Sequence, residues 1–267
     1  MMKKIILPVF ILLSIVLAAC GSSASGSSDD GTVEIAILDS DVYSSLLKHI
    51  QANLKEEGID LEFVYMSDWN MFNQALANKE IDLNFFQHKQ FLKNANETNG
   101  WNLVPIAETF NFALGYFSTK HKSLEEIPDG ATITVPSDPV NNGRSLQILH
   151  DAGLIKLKEG VGFNGSQADI IENKKDFKIV EVDYNMLPQT LEDSDLTYIA
   201  GTLAPRAGVT QEDALITGGP LDEFTMVLAA REDNKDNEII KRIAEEFEST
   251  ETQKLLMEEF PNEIIWP

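Results

Sequence analysis

Residues 33–86 switch between two hydrophobic periods, and that alternation limits the fold more than any other feature of the chain. Residues 33–38 (VEIAIL) form a short apolar run of strand character. Asp39 and Ser40 can cap a helix, along which Tyr43, Leu46, Leu47, Ile50 and Leu54 recur at helical spacing up to Gly58. Residues 61–65 (LEFVY) read as a second strand. Asp68 caps a short helix through Trp69, Phe72, Ala75 and Leu76, and residues 82–86 are strand-like again. Strand, helix, strand, helix, strand is the order of a parallel sheet with helices on its faces.

The rest of the chain keeps the same grammar. Residues 103–118 are apolar and β-rich, too long for one strand, and read as two with a crossing point near residues 110–112. Residues 131–135 (ATITV), 177–182 (FKIVEV), 196–200 (LTYIA) and 224–230 (FTMVLAA) are further strands. A helix is expected over about residues 143–152, a short one over 186–192, and a helical tail carries Ile239, Ile240, Ile243, Phe247, Leu255, Leu256 and Phe260. Two batches of alternating elements imply an α/β chain of two lobes, each a central, mostly parallel sheet flanked by helices. In such sheets ligands bind beyond the carboxyl ends of the strands, and a cleft between lobes is the default site.

The amino terminus is of another kind. Lys3 and Lys4 precede an apolar run over residues 5–17, shorter than the roughly 20 residues of a membrane span, and small residues come after it. This is the pattern of an export signal over residues 1–19. Leu17-Ala18-Ala19-Cys20 resembles a lipobox, which makes Cys20, the only cysteine, the expected site of lipidation. Residues 20–31 then read as the lipidated cysteine and a flexible tether, which after Cys20 has no apolar residue larger than alanine to bury. The expected arrangement is a globular body lipid-anchored at the extracytoplasmic face of a bacterial cell membrane. The 248 residues after the signal suffice for a sizeable core. A net charge of −22 argues against a nucleic-acid partner, because such a surface repels phosphate.

Two stretches carry candidate chemistry. In Asn84-Phe85-Phe86-Gln87-His88-Lys89-Gln90-Phe91, aromatic side chains flank a histidine at the carboxyl end of a strand, which suits either core packing or the walls of a ligand pocket. In Val135-Pro136-Ser137-Asp138-Pro139-Val140-Asn141-Asn142-Gly143-Arg144, a strand ends in a proline-held loop and a helix is expected to start at the asparagines. Arg144 in a first turn opposes its own helix dipole but suits a carboxylate ligand; the structural alternative is an exposed arginine paired with Asp138.

Other motifs carry less. Residues 160–165 (GVGFNG) match G-x-G-x-x-G with Asp183 downstream, but residues 154–159 make a poor buried strand, so a tight glycine-rich loop is the better reading. His49, His88, His121 and His150 lack metal-ligand spacing, His49 lies off its helix stripe, and no catalytic or cofactor motif is present. No cofactor, metal or catalytic residue is therefore expected.

Phe86-Gln87-His88-Lys89, the Val135-Pro136-x-Asp138-Pro139-x-Asn141-x-Gly143-Arg144 block, Ala152-Gly153-Leu154-Ile155-Lys156-Leu157-Lys158 and Arg231-Glu232-Asp233-Asn234 together resemble the MetQ/NlpA-type lipoproteins, substrate-binding components of methionine ABC importers. The resemblance implies a two-lobed, periplasmic-binding-protein-like fold of type II. Lobe I would comprise residues 32–111 with 224–267 and lobe II residues 112–223, joined by two crossing strands. It implies an amino-acid-like ligand and an importer permease as partner. Arg144 would clamp a carboxylate with Asn141 beside it, and Phe86, His88, Phe91, Trp69 and Phe112 would line the side-chain pocket. Ala200 and Met226 stand where the family usually has asparagines that hold the ligand's head group, so Asn111 or Asp39 is expected to supply acceptors, or the ligand differs. An extracellular enzyme on the same scaffold, with His88 as its base, and a surface lipoprotein with another ligand such as a short peptide are the alternatives.

Overall fold

The structure, a computed structural model, describes residues 32–266. The signal peptide, Cys20 and the tether lie outside the described residues. The chain runs β1 (Thr32–Ile37), α1 (Asp41–Glu56), β2 (Asp60–Tyr65), α2 (Trp69–Ala77), β3 (Leu83–His88), α3 (Lys89–Asn99), β4 (Leu103–Glu108), β5 (Asn111–Phe112) and β6 (Leu114–Phe117). It continues through β7 (Thr132–Pro136), α4 (Pro139–Asp151), β8 (Lys156–Leu157), β9 (Ile170–Glu172), β10 (Lys178–Val182), β11 (Leu196–Ala200), α5 (Ala204–Ala207) and β12 (Ile216–Gly218), and closes with β13 (Met226–Arg231), α6 (Glu238–Phe247), α7 (Thr250–Glu259) and β14 (Ile264–Ile265).

Two five-stranded sheets hold the molecule. The first has the order β2-β1-β3-β13-β4 and the second β10-β7-β11-β6-β12. In the first only β13 runs against its neighbours, pairing antiparallel with β3 and β4. In the second only β6 is reversed, between β11 and β12. The mixed α/β architecture with mostly parallel strands is thus the one expected from the alternation. The central strands β3 and β13 are buried along their whole length; β13 is apolar up to Arg231, while in β3 the buried Asn84 and Gln87 are satisfied by hydrogen bonds with Asn73 and with each other.

The chain passes between the sheets twice, through residues 109–113 and through residues 219–225. Residues 103–118 break into three strands, not two: β5 leaves both large sheets and pairs with β14 near the carboxyl terminus. The Ala113 amide donates to the Glu263 carbonyl at 2.8 Å and the Gly201 amide to the Ala113 carbonyl at 2.7 Å, so the tail fastens the first crossing. Phe112 packs in the core of the first sheet with Tyr43, Phe85 and Phe110.

Helix starts obey their caps. The Ser40 hydroxyl accepts from the Tyr43 amide and the Asp68 carboxylate from the Asn70 amide. Asp138 caps α4 and Pro139 occupies its first position, so the helix begins before the asparagines. Arg144 therefore stands in the second turn and not the first, and the dipole argument for it does not hold. α3 was not expected; its cap is the His88 ring, whose Nδ1 accepts from the Phe91 amide at 3.1 Å. Of the region expected as a helix over 186–192, the structure makes a 3₁₀ segment over Tyr184–Thr190.

The glycine-rich loop proves to be packing. A 3₁₀ turn over Gly162–Asn164 lies on α4, and a Cβ at Gly143 would fall well inside contact distance of the Phe163 carbonyl oxygen. No helix among the described residues is long and apolar enough to cross a membrane.

Candidate functional site

The ends of β3 and β11, the first two turns of α4 and the start of β13 converge between the two sheets on one small cavity of about 30 Å³. From the first sheet and its helices come Tyr43 of α1, Trp69 of α2, Phe86 and His88 of β3, and Met226 of β13, and from the first crossing Phe112 of β5. Asn141 and Arg144 of α4, Tyr184, Tyr198 and Ala200 of β11, and Thr202 come from the second, and Phe224 from the second crossing. The parallel strands present their carboxyl ends here, where switch-point geometry leaves room for a ligand.

Arg144 is the charged group of the cavity. Its side chain is only 4% exposed, and among the described residues no carboxylate pairs with it and its Nε has no hydrogen-bond partner. The guanidinium carbon lies 3.9 Å from the centre of the Phe224 ring, a cation–π contact that partly replaces lost hydration. Burial lowers the Arg144 pKa, yet a guanidinium stays charged in proteins. A second depression, of about 310 Å³ between α4 and β12, also reaches Arg144. The exposed pair with Asp138 is thus not formed.

Asp138 instead accepts from the Asn141 amide at 2.9 Å, and each of its oxygens accepts from Asn141 Nδ2 at 3.1 Å. Burial raises its pKa, opposed by those same hydrogen bonds. Because the Asn141 amide nitrogen points at Asp138, its Oδ1 faces His88 Nε2 at 3.3 Å. His88 Nδ1 is an acceptor at the α3 cap, so the proton of the neutral ring sits on Nε2 and donates to Asn141. Burial, then the Arg144 charge, pushes the His88 pKa down to about 3, so the ring is neutral at ordinary pH. The polar edge of His88 therefore serves the protein's own framework: one nitrogen caps α3, the other bridges the sheets.

The aromatic wall is built largely as expected. Phe86 stacks on Phe72 at 4.1 Å, and Trp69 meets Phe86 at 5.8 Å and Tyr184 at 4.8 Å, closing the cavity across the two sheets. Phe91 is displaced: it packs against Trp69 and Phe86 but lines the outer cleft of about 500 Å³ with Asp68, Asp138 and Asp183, not the cavity. Asn111 is fully buried elsewhere. Its Nδ2 reaches the Thr225 hydroxyl and its Oδ1 the Leu221 amide, each at 3.3 Å, so it joins the two crossing segments. Asp39 is exposed and outside the cavity, so neither residue supplies acceptors there.

Sequence reasoning missed Tyr43, Tyr184, Tyr198, Thr202 and Phe224 as wall residues. A tyrosine inside an otherwise aliphatic stripe, as at 43 and 198, was the available signal. Burial pushes the Tyr198 pKa up to about 12 and raises those of Tyr184 and Tyr43 as well, so all three hydroxyls keep their protons. The Tyr184 hydroxyl lies 3.4 Å from that of Thr202.

Residues 33–267 match the model of the NlpA lipoprotein family. The chain belongs to that family. It is 36% identical over 242 residues to the D-methionine-binding lipoprotein MetQ of Salmonella typhimurium, covering 89% of this chain and 88% of the relative. Among solved structures it is similar to the methionine binding protein MetQ, with TM-score 0.83, 33% identity, and 90% and 99% of the two chains covered. It is also similar to a nutrient binding protein from Burkholderia cenocepacia bound to methionine, with TM-score 0.81, 29% identity, and 88% and 99% covered.

Proposed function

We propose that this NlpA-family protein is the substrate-binding lipoprotein of an ABC importer, capturing an amino acid or amino-acid-like carboxylate between its lobes and delivering it to a membrane permease. Several of its relatives are named D-methionine-binding lipoproteins and one solved relative is bound to methionine, so a methionine-sized ligand with altered head-group contacts is the reading for this chain. The lobes in this reading are residues 32–111 with 224–267, and residues 112–223, and the body is held at the extracytoplasmic face by a lipid on Cys20.

The observation that carries the proposal is Arg144: a buried, unpaired guanidinium in a cavity walled by aromatic rings from both sheets. Burying a cation without a partner is strongly disfavoured, and a ligand carboxylate supplies the missing partner in bidentate form. Asn141 sets the first turn of α4 beside it, and Phe86, Phe112, Trp69 and Met226 supply apolar contact.

The enzyme reading loses its base. Both His88 nitrogens are committed, to the Phe91 amide and to Asn141, so the ring has no free lone pair to accept a substrate proton. Native mass spectrometry of the full-length protein tests the proposal. It expects a small carboxylic acid bound one to one and recovered chemically unchanged after incubation; turnover of that acid contradicts it.

A further inference from the structure

Three buried side-chain polar atoms among the described residues have no hydrogen-bond partner: the Tyr43 hydroxyl, Trp69 Nε1 and Arg144 Nε. All three belong to side chains lining the same cavity. Orphaned buried polar atoms are rare in native proteins, and three on the walls of one space are groups for a ligand to satisfy; at about 30 Å³ the space as it stands holds little more than a water, so a larger ligand enters as the two sheets part. Two of the three can only donate, the indole nitrogen and the guanidinium, while the tyrosine hydroxyl can donate or accept.

The acceptors of the cavity are mostly spent. Asn141 Oδ1 takes the His88 proton, and the Asn141 amide nitrogen is bound to Asp138. Thr202 and Tyr184 face each other, Ala200 presents a methyl and Met226 a weakly accepting thioether, Tyr198 adds a neutral hydroxyl, and no carboxylate lines the wall. Asp138 caps α4 and opens to the outer cleft. An α-ammonium has three donors to satisfy, and the cavity offers it no anionic or free amide acceptor.

We infer that the ligand is a compact carboxylic acid with an apolar side chain and no free α-ammonium, its α-substituent being a hydrogen-bond acceptor such as an oxo, hydroxyl or acylamino group. The carboxylate pairs with Arg144. The α-acceptor takes the proton of Trp69 Nε1 or the Tyr43 hydroxyl, and the side chain lies against Phe86, Phe112 and Met226. This inference rests on the proposed role of Arg144.

Titration calorimetry on the full-length protein in detergent, dialysed free of bound ligand, tests it with five probes of equal side chain: L-methionine, D-methionine, 4-(methylsulfanyl)-2-oxobutanoate, 2-hydroxy-4-(methylsulfanyl)butanoate and N-acetylmethionine. The expected result is that the best of the three acids without an ammonium binds at least about tenfold more tightly than either methionine. A smaller ratio, or one in the other direction, overturns the inference. If methionine then loses its binding on Arg144→Ala, the proposed function survives that outcome. Failure of all five probes to bind overturns the inference and the methionine-sized reading together.

Discussion

The Nε2 of His88 lies 3.3 Å from the Oδ1 of Asn141, and this hydrogen bond joins the end of β3 in one sheet to the first turn of α4 beside the other. It is backed on both sides, by the Phe91 amide on Nδ1 and by Asp138 on the Asn141 amide nitrogen. The pair fixes the approach of the two halves around Arg144.

Asn141→Ala removes that bridge and leaves a buried N–H of His88 unpaired, at a cost of about 1–3 kcal/mol carried by the form in which the sheets meet. Ligand affinity should fall roughly tenfold or more. Calorimetry on the variant checks it, and an unchanged dissociation constant would show that the bridge plays no part in closure.

Acidification should act through the same histidine. Its pKa is near 3 in the folded protein against an ordinary value of 6.5, so between those values the unfolded chain binds the extra proton. The stability from the neutral ring is fully present above about pH 6.5 and is lost as pH falls toward 3, by up to roughly 1.4 kcal/mol per pH unit. His88→Asn keeps a helix cap and removes the titration. Urea unfolding at pH 7 and pH 5 should show a smaller loss in the variant than in the parent; equal losses would contradict the assignment.

How much of this was readable in advance depended on whether a signal was local. β11 was legible to the residue, because LTYIA is wholly apolar between Asp195 and Gly201 apart from one threonine. Arg144, Asn141, Phe86, Trp69 and Phe112, singled out from two motifs and the family resemblance, all line the one cavity. α3 was not, since its cap is a histidine ring and Leu92 is its only buried side chain, which leaves no apolar period to detect. Phe91 and Asn111 were misplaced for a related reason: nothing local says which side of a wall an aromatic ring takes, or whether an amide faces a ligand or a crossing strand. Tyr184, Tyr198, Thr202 and Phe224 lie about a hundred residues or more from Trp69, Phe86 and His88 in the chain, and only the three-dimensional crossing brings them to that wall.

Trp69→Phe separates packing from hydrogen bonding. The ring contacts with Phe86 and Tyr184 persist, while the unpartnered indole N–H disappears. The ligand-free variant should be as stable as the parent or up to about 1 kcal/mol more stable, because an unsatisfied donor is removed. Its affinity should drop about five- to tenfold. A stability loss with unaltered affinity, measured by thermal unfolding and calorimetry, would make Trp69 a packing residue only.

Gly143→Ala should destabilise by about 2 kcal/mol or more, because the new methyl meets the Phe163 carbonyl and the glycine-rich loop must shift away from α4. Urea denaturation reads the change. A loss below about 0.5 kcal/mol would mean that the loop is not packed on the helix as described.

Ligand capture turns on Arg144, and calorimetry with the co-purified ligand on the parent and on Arg144→Ala examines it most directly. The expected result is a loss of affinity of about a hundredfold or more with the melting temperature unchanged or raised, since an unpaired buried cation has been removed. An equal dissociation constant in the two proteins would contradict it.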